Sequence, residues 1–155
     1  MDAEKAKTVY ETICSMFDGR GWHYKKDEEN LIIYCGVSGD DLPMEFIIQV
    51  RDKIDTVAFV SILPFTVPED KRLDMAVAVC AVNYLLVDGC FDFDISDGEL
   101  LFRMNNSYLD VEPSMDVFSY MINCAATTVD EYNDKFLMIS KGYIKINQFL
   151  TDLNN

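Results

Sequence analysis

Apolar side chains recur at helical spacing from the start of the chain. Ala6, Val9, Tyr10, Ile13 and Phe17 fall on one face, which predicts a helix over roughly Ala3–Met16, ended by Gly19 and Gly21. An extended region starts at Trp22-His23-Tyr24. Three strand-like runs follow, Leu31–Val37, Met44–Val50 and Thr56–Leu63. Gly36 and the cluster Ser38-Gly39-Asp40-Asp41-Leu42-Pro43 divide the first two, and Asp52–Asp55 forms a short turn between the second and third. Phe46, Ile48 and Val50 alternate with Glu45, Ile47, Gln49 and Arg51, as a strand with one core face requires. Short connections make an antiparallel meander the simplest pairing.

The centre of the chain, Thr66–Asn105, reads as a helix followed by two strands. Thr66 and Glu69 have capping-box spacing, and Pro68 lies in the predicted first turn. From Met75 to Val87 every position is apolar except Asn83 and the Tyr84 hydroxyl. A surface helix shows one apolar stripe, so this run is expected to be covered on nearly every side. It is too short to cross a bilayer, which takes ~20 residues. A sheet is expected on one side and another helix or another subunit on the other. Met75, Val79, Val82 and Leu86 form the second face. They suit a partner or dimer interface, or burial under a later helix of the same chain.

Gly89 is the expected left-handed cap of that helix. Phe91, Phe93 and Ile95 then alternate with Asp92, Asp94 and Ser96, Asp97-Gly98 signals a two-residue hairpin, and Glu99–Met104 returns. Pro113-Ser114 opens a long helix whose stripe runs through Met115, Phe118, Ile122, Ala125, Val129, Tyr132, Phe136 and Ile139, firm as far as Ser140. Gly142 breaks it, and Tyr143, Ile146 and Leu150 suggest a short terminal helix. The order is α-βββ-α-ββ-α. It implies an α+β domain, an antiparallel sheet of about five strands with helices gathered on one face. No linker or repeat divides it, so residues 1–155 read as one domain.

Charge narrows the function classes. There are 27 acidic against 13 basic side chains, a formal net charge of −14. That argues against nucleic acid, whose phosphates need a basic footprint, and against anionic membrane. The excess either keeps the protein dispersed or offers an acidic face to a basic partner. Five cysteines (Cys14, Cys35, Cys80, Cys90, Cys124) lack CxxC pairing, as expected of reduced, buried thiols in the cytoplasm. The N-terminal stretch MDAEKAKTVYETI has neither the apolar run nor the cleavage site of a signal peptide.

No catalytic constellation emerges, and no cofactor or metal is expected. The single histidine, His23, has no nucleophile near it in sequence except Cys14. An EF-hand loop starting at Asp92 needs Gly at its sixth position and Glu at its twelfth, where this chain has Asp97 and Arg103. Gly19 and Gly21 follow a helix and precede a strand, the reverse of a phosphate loop. One competing possibility is an enzyme or a small-ligand or metal sensor. Its pocket would lie between sheet and helices, lined by Trp22, His23, Tyr24 and nearby carboxylates.

Several segments, taken together, resemble the YbjN family of bacterial proteins described as sensory-transduction regulators. They are Val67-Pro68-Glu69 before a helix, Asn83-Tyr84-Leu85-Leu86, Gly89, Phe91-Asp92-Phe93-Asp94, Asp97-Gly98-Glu99-Leu100, and the amphipathic helix ending at Asp130–Tyr132. The resemblance covers roughly residues 20–140. It implies the fold of type III secretion chaperones, a non-enzymatic domain, commonly homodimeric, that binds extended segments of client proteins. The family's recurring Asn and its DG turn correspond to Asn83 and Asp97-Gly98. Both have structural accounts, the amide by bridging backbone groups near the helix end and Gly98 by supplying a positive φ. The expected function is a protein-binding module, chaperone-like or a regulatory adaptor, with exposed sheet edges available for strand addition.

Overall fold

Alternation along the chain resolves into six strands: β1 (Lys25–Asp27), β2 (Ile32–Val37), β3 (Met44–Arg51), β4 (Thr56–Ile62), β5 (Cys90–Phe93) and β6 (Leu100–Ser107). They form one antiparallel sheet in the order β1-β2-β3-β4-β6-β5. The helices are α1 (Ala3–Gly19), α2 (Arg72–Leu85), α3 (Met115–Ser140) and α4 (Ile146–Leu153). This computed structural model describes residues 3–155; Met1 and Asp2, the first residues of the expected domain, lie outside it. The sixth strand, β1, escapes the hydrophobic pattern because Lys-Lys-Asp carries no strand signal. It forms by pairing Lys25 with Tyr34 and Lys26 with Ile33.

All four helices lie on one face of the sheet, giving the expected α+β layers. Ile33, Cys35, Phe46, Ile48, Val50, Phe59, Phe91, Leu100 and Phe102 point into that side and are buried. α1 packs on β3, α3 crosses β3, β4 and β6, and α2 packs on β5. Phe59 stacks on Phe118 of α3 with ring centroids 6.4 Å apart. Phe91 meets Phe102, Tyr132 and Phe136 edge-on at 5.2, 6.0 and 5.0 Å, joining both ends of the sheet's last hairpin to α3. Edge-to-face pairs set the positive rim of one ring against the negative face of the next, adding about 0.5–1.5 kcal/mol each to their area burial.

The entry to α2 differs from its sequence signature. Thr66 and Glu69 form no capping box: a single 3-10 turn, Glu69–Lys71, precedes α2, with Pro68 at its N-cap and no side-chain cap. The segment is fixed from the other side instead. The Val67 amide donates to the Gly98 carbonyl at 2.9 Å. Arg72 donates to three carbonyls, Val67 at 3.2 Å, Ser96 at 2.7 Å and Asp97 at 3.0 Å. Those partners also stretch the predicted hairpin. β5 ends at Phe93 and the connection is the loop 94–99, closed by Asp94 N–H to Glu99 O (2.9 Å) and Gly98 N–H to Asp94 O (2.8 Å). Ile95 therefore leaves the strand and is exposed. Gly98 does take a positive φ, 86°, and an added Cβ would sit 2.3 Å from the Val67 carbonyl oxygen.

Burial also sets the acidity of the core. Desolvation pushes the Cys35 thiol on β2 up to about 12, and burial takes the Tyr10 hydroxyl up to about 12. Unfolded, these groups ionise near 8.5 and 10. Between those values and 12 the folded state holds protons that the unfolded chain releases, so stability falls as pH rises through that window. Denaturant melts are expected to show little change in stability between about pH 7 and 8.5 and a progressive decline from there to pH 12. Cys35→Ala should flatten the lower part of that decline; an unchanged slope would show that Cys35 is not its source.

Candidate functional site

The run from Met75 to Val87 is where sequence expectation and structure part most. Met75, Ala78, Val79 and Val82 are buried in the chain's own core, and Leu86 is half-buried against it. The second face named from sequence is thus covered within the chain, beside α3 and α4. Cover on nearly every side does not follow. Leu73, Val77, Cys80 and Tyr84 recur at intervals of four, three and four along the outer face of α2, and all are exposed. Leu73 is 75% exposed, Tyr84 89%, and Val87, just past the helix end, 96%. Helical spacing lines these side chains into one row. No charged residue occurs between Asp74 and Asp88.

The turn after α2 is anchored to α3. The Tyr120 hydroxyl donates a short hydrogen bond to the Asp88 carboxylate, and that bond pushes the hydroxyl's pKa up to about 12. Gly89 takes φ 72° as the expected left-handed residue, although the helix itself stops four residues earlier, at Leu85. Asn83 then closes the sheet. Its amide accepts from the Phe91 N–H and donates to the Phe91 carbonyl, both at 2.8 Å. One side chain thereby takes the place a seventh strand would occupy at that residue.

This alters the expectation of open sheet edges. At β5 the outward backbone groups of Phe91 are already paired. At the opposite edge β1 is three residues long and carries Lys25 and Lys26, a composition that blunts edge pairing. Strand addition is therefore poorly served.

The face of the sheet away from the helices is uncovered. A transverse row passes in register through all six strands: Lys25, Tyr34, Ile47, Val60, Arg103 and Cys90. Arg103 is paired with Asp92 at 2.8 Å. Lys25 and Arg103 put charge into this row, unlike the uncharged row on α2.

The pocket expected from Trp22, His23 and Tyr24 does not assemble. Trp22 and Tyr24 turn inward onto Phe17, ring centroids 5.6 and 5.5 Å away, and the Tyr24 hydroxyl donates to Asp18 at 2.8 Å. His23 is exposed and borders a shallow depression together with Tyr24, Tyr34 and Glu45. Trp22 stays on the Phe17 side and does not reach that depression, so the three residues line no common pocket. The acidic cluster is equally spoken for. Asp94 accepts from the Ser96 amide and hydroxyl, which hold its carboxyl below the usual range, and Asp97 accepts from the Glu99 amide. No group of three metal-ligating side chains occurs among the described residues. Of the five free cysteines only Cys14 and Cys35 are buried, and Cys80 is exposed on α2, against the expectation that all are interior.

Helices on one side of a six-stranded antiparallel sheet define an α+β fold. The chain belongs to the YbjN family, described as "Putative bacterial sensory transduction regulator", which matches over residues 10–138. Its fold is similar to that of YbjN from E. coli, described as "a putative transcription regulator" (TM-score 0.58, 14% identity, covering 81% of this chain and 92% of that one). It is also similar to a chain of the HopA1–SchA chaperone–effector complex (TM-score 0.57, 9% identity, covering 86% and 98%). At these identities the likeness is one of fold. No curated protein matches the chain by sequence.

Replacing Asn83 by Ala orphans the N–H and C=O of Phe91, at about 1–3 kcal/mol per lost partner. Asn83→Ala is expected to lower stability by about 2–6 kcal/mol and the Tm by roughly 4–24 °C in thermal unfolding. It should also raise light scattering, because the freed β5 edge can pair between molecules.

Proposed function

We propose that this protein is a non-enzymatic polypeptide-binding module of the bacterial cytoplasm, acting as a chaperone-like or regulatory adaptor. Its contact surface is the outer row of α2, and it works as a homodimer through that row. The observation that carries this reading is the exposure of Leu73, Val77, Cys80 and Tyr84 on a chain otherwise dominated by acid. With Leu85 and Val87 the row presents on the order of several hundred Å² of apolar surface, the range at which a patch marks an interaction site.

Charge favours a second copy as one occupant. At −14, two copies repel through most of their surface. The α2 row carries no charge, so it can face its own image across a two-fold axis without setting like charges together. A partner polypeptide is then held by the assembled module; the similar fold of a chain in a chaperone–effector complex supports a protein partner. Reading the chain as an enzyme or a small-ligand sensor would call for an enclosed polar site, and no cluster described above favours that.

Sedimentation velocity tests the proposal. The wild-type chain is expected to sediment as a dimer at tens of micromolar. Val77→Glu should sediment as a monomer while keeping its stability within about 0.5 kcal/mol, because the position is on the surface. A wild-type chain that stays strictly monomeric removes the homodimer. Co-purification from the native cell then asks which polypeptide the module carries.

A further inference from the structure

We infer that the sheet face away from the helices is a second self-association surface, on which two copies pack face to face about a two-fold axis running along the strands between β3 and β4. The inference is independent of the α2 contact, which lies on the other side of the sheet.

The solvated face of an antiparallel sheet carries polar side chains as a rule. Here Tyr34 and Ile62 are 41% and 43% exposed on the side without helices, and Ile47, Val60 and Leu101 are half-buried there. The strands bring charge to this face in equal numbers, Lys25, Arg51 and Arg103 against Asp27, Glu45 and Asp92. On a chain of net charge −14, that balance spares this face the repulsion that acts over most of the surface.

The order of residues across the strands is self-complementary. The midline of the six-stranded sheet falls between β3 and β4. The transverse row reads Lys25, Tyr34 and Ile47 on one side of it and Val60, Arg103 and Cys90 on the other. A second copy turned over about that midline sets Ile47 on Val60, Tyr34 on Arg103, and Lys25 on Cys90 with Asp92 in the next row. Apolar meets apolar at the centre, a ring meets a guanidinium, and an ammonium meets the strand that carries a carboxylate. Asp92 holds Arg103 at 2.8 Å while 42% of the arginine side chain stays exposed, so the planar group is oriented and still accessible to a ring. An axis laid along the row instead sets Lys25 on Lys25 and Arg103 on Arg103, which like-charge repulsion opposes.

Sheets packed face to face keep their strand directions within about 30°. Tyr34 stands about 7 Å from the midline, so that rotation moves it by roughly 4 Å, less than the ~7 Å between rows. The pairing with Arg103 survives the twist. A face about 24 Å across and about 20 Å along the strands buries on the order of 1,000 Å² over both copies, the low end for a specific contact. This contact is therefore the weaker kind. Because α2 lies on the opposite side, dimers joined through α2 remain free to pair again through their sheets.

Sedimentation equilibrium of the full chain carrying Val77→Glu isolates the sheet from the α2 row. That variant is expected to be monomeric at tens of micromolar and mostly dimeric on approaching ~1 mM, as a small interface allows. Two further substitutions in that background, at the exposed Tyr34, set register against bulk charge. Tyr34→Lys meets Arg103 of the second copy and should weaken the dimer at least ~10-fold, although it reduces the net negative charge. Tyr34→Glu meets the same guanidinium and should keep the dimer within ~3-fold, although it adds to that charge. A residual α2 contact is indifferent to both. Equal or reversed effects would overturn the inference. So would a Val77→Glu chain that stays monomeric at ~1 mM, the result expected if a partner polypeptide covers this face instead. Sedimentation of the wild type at tens of micromolar reads the α2 row separately, so either conclusion can fail without the other.

Discussion

A single layer of helices laid on one face of a sheet gives each helix one inner side. That geometric limit governs the rest of the molecule. The run at 75–87 carries more apolar side chains than one inner side can receive. Met75, Ala78, Val79 and Val82 take the interior. Leu73, Val77, Cys80 and Tyr84 are left outside because α3 and α4 flank α2 and, among the described residues, nothing lies above it. The surplus is a property of composition meeting architecture, and it singles out α2 from the other helices.

The sheet shows the complementary tendency, toward closure. The Asn83 amide satisfies both backbone groups of Phe91, and the ring of Phe91 packs on Phe102, Tyr132 and Phe136. One residue of β5 thus joins the sheet edge, the helix above it and the aromatic core. Closing the edge by a side chain leaves the helix face as the more available place for association.

Much of the fold was legible because its signals are periodic. The three-and-four stripe of α3 and the alternation of β3 each specify an element from a dozen residues or fewer, and both fell where expected. β1 was illegible because Lys-Lys-Asp becomes a strand only by pairing with β2. The capping box and the two-residue hairpin misled for a shared reason. Both are local signatures, and long-range hydrogen bonds among Val67, Arg72, Ser96, Asp97 and Gly98 outweighed them. Asn83 was legible as a backbone bridge, but its partner Phe91 was not. On α2 sequence could count apolar residues without saying which would be left over. The inner set was expected to meet either an interface or a later helix of the same chain, and it is covered within the chain, while the set one step round the helix is exposed.

The three-carbonyl grip of Arg72 has a mechanical consequence. A guanidinium is a rigid planar fork, so carbonyls from the segment before α2 and from the β5–β6 loop become fixed in one frame. Lysine, a single point charge on a flexible stem, would leave α2 free to swivel about its first turn. With the fork in place the helix axis keeps a constant heading over the sheet, and any surface that meets it encounters the same contour each time.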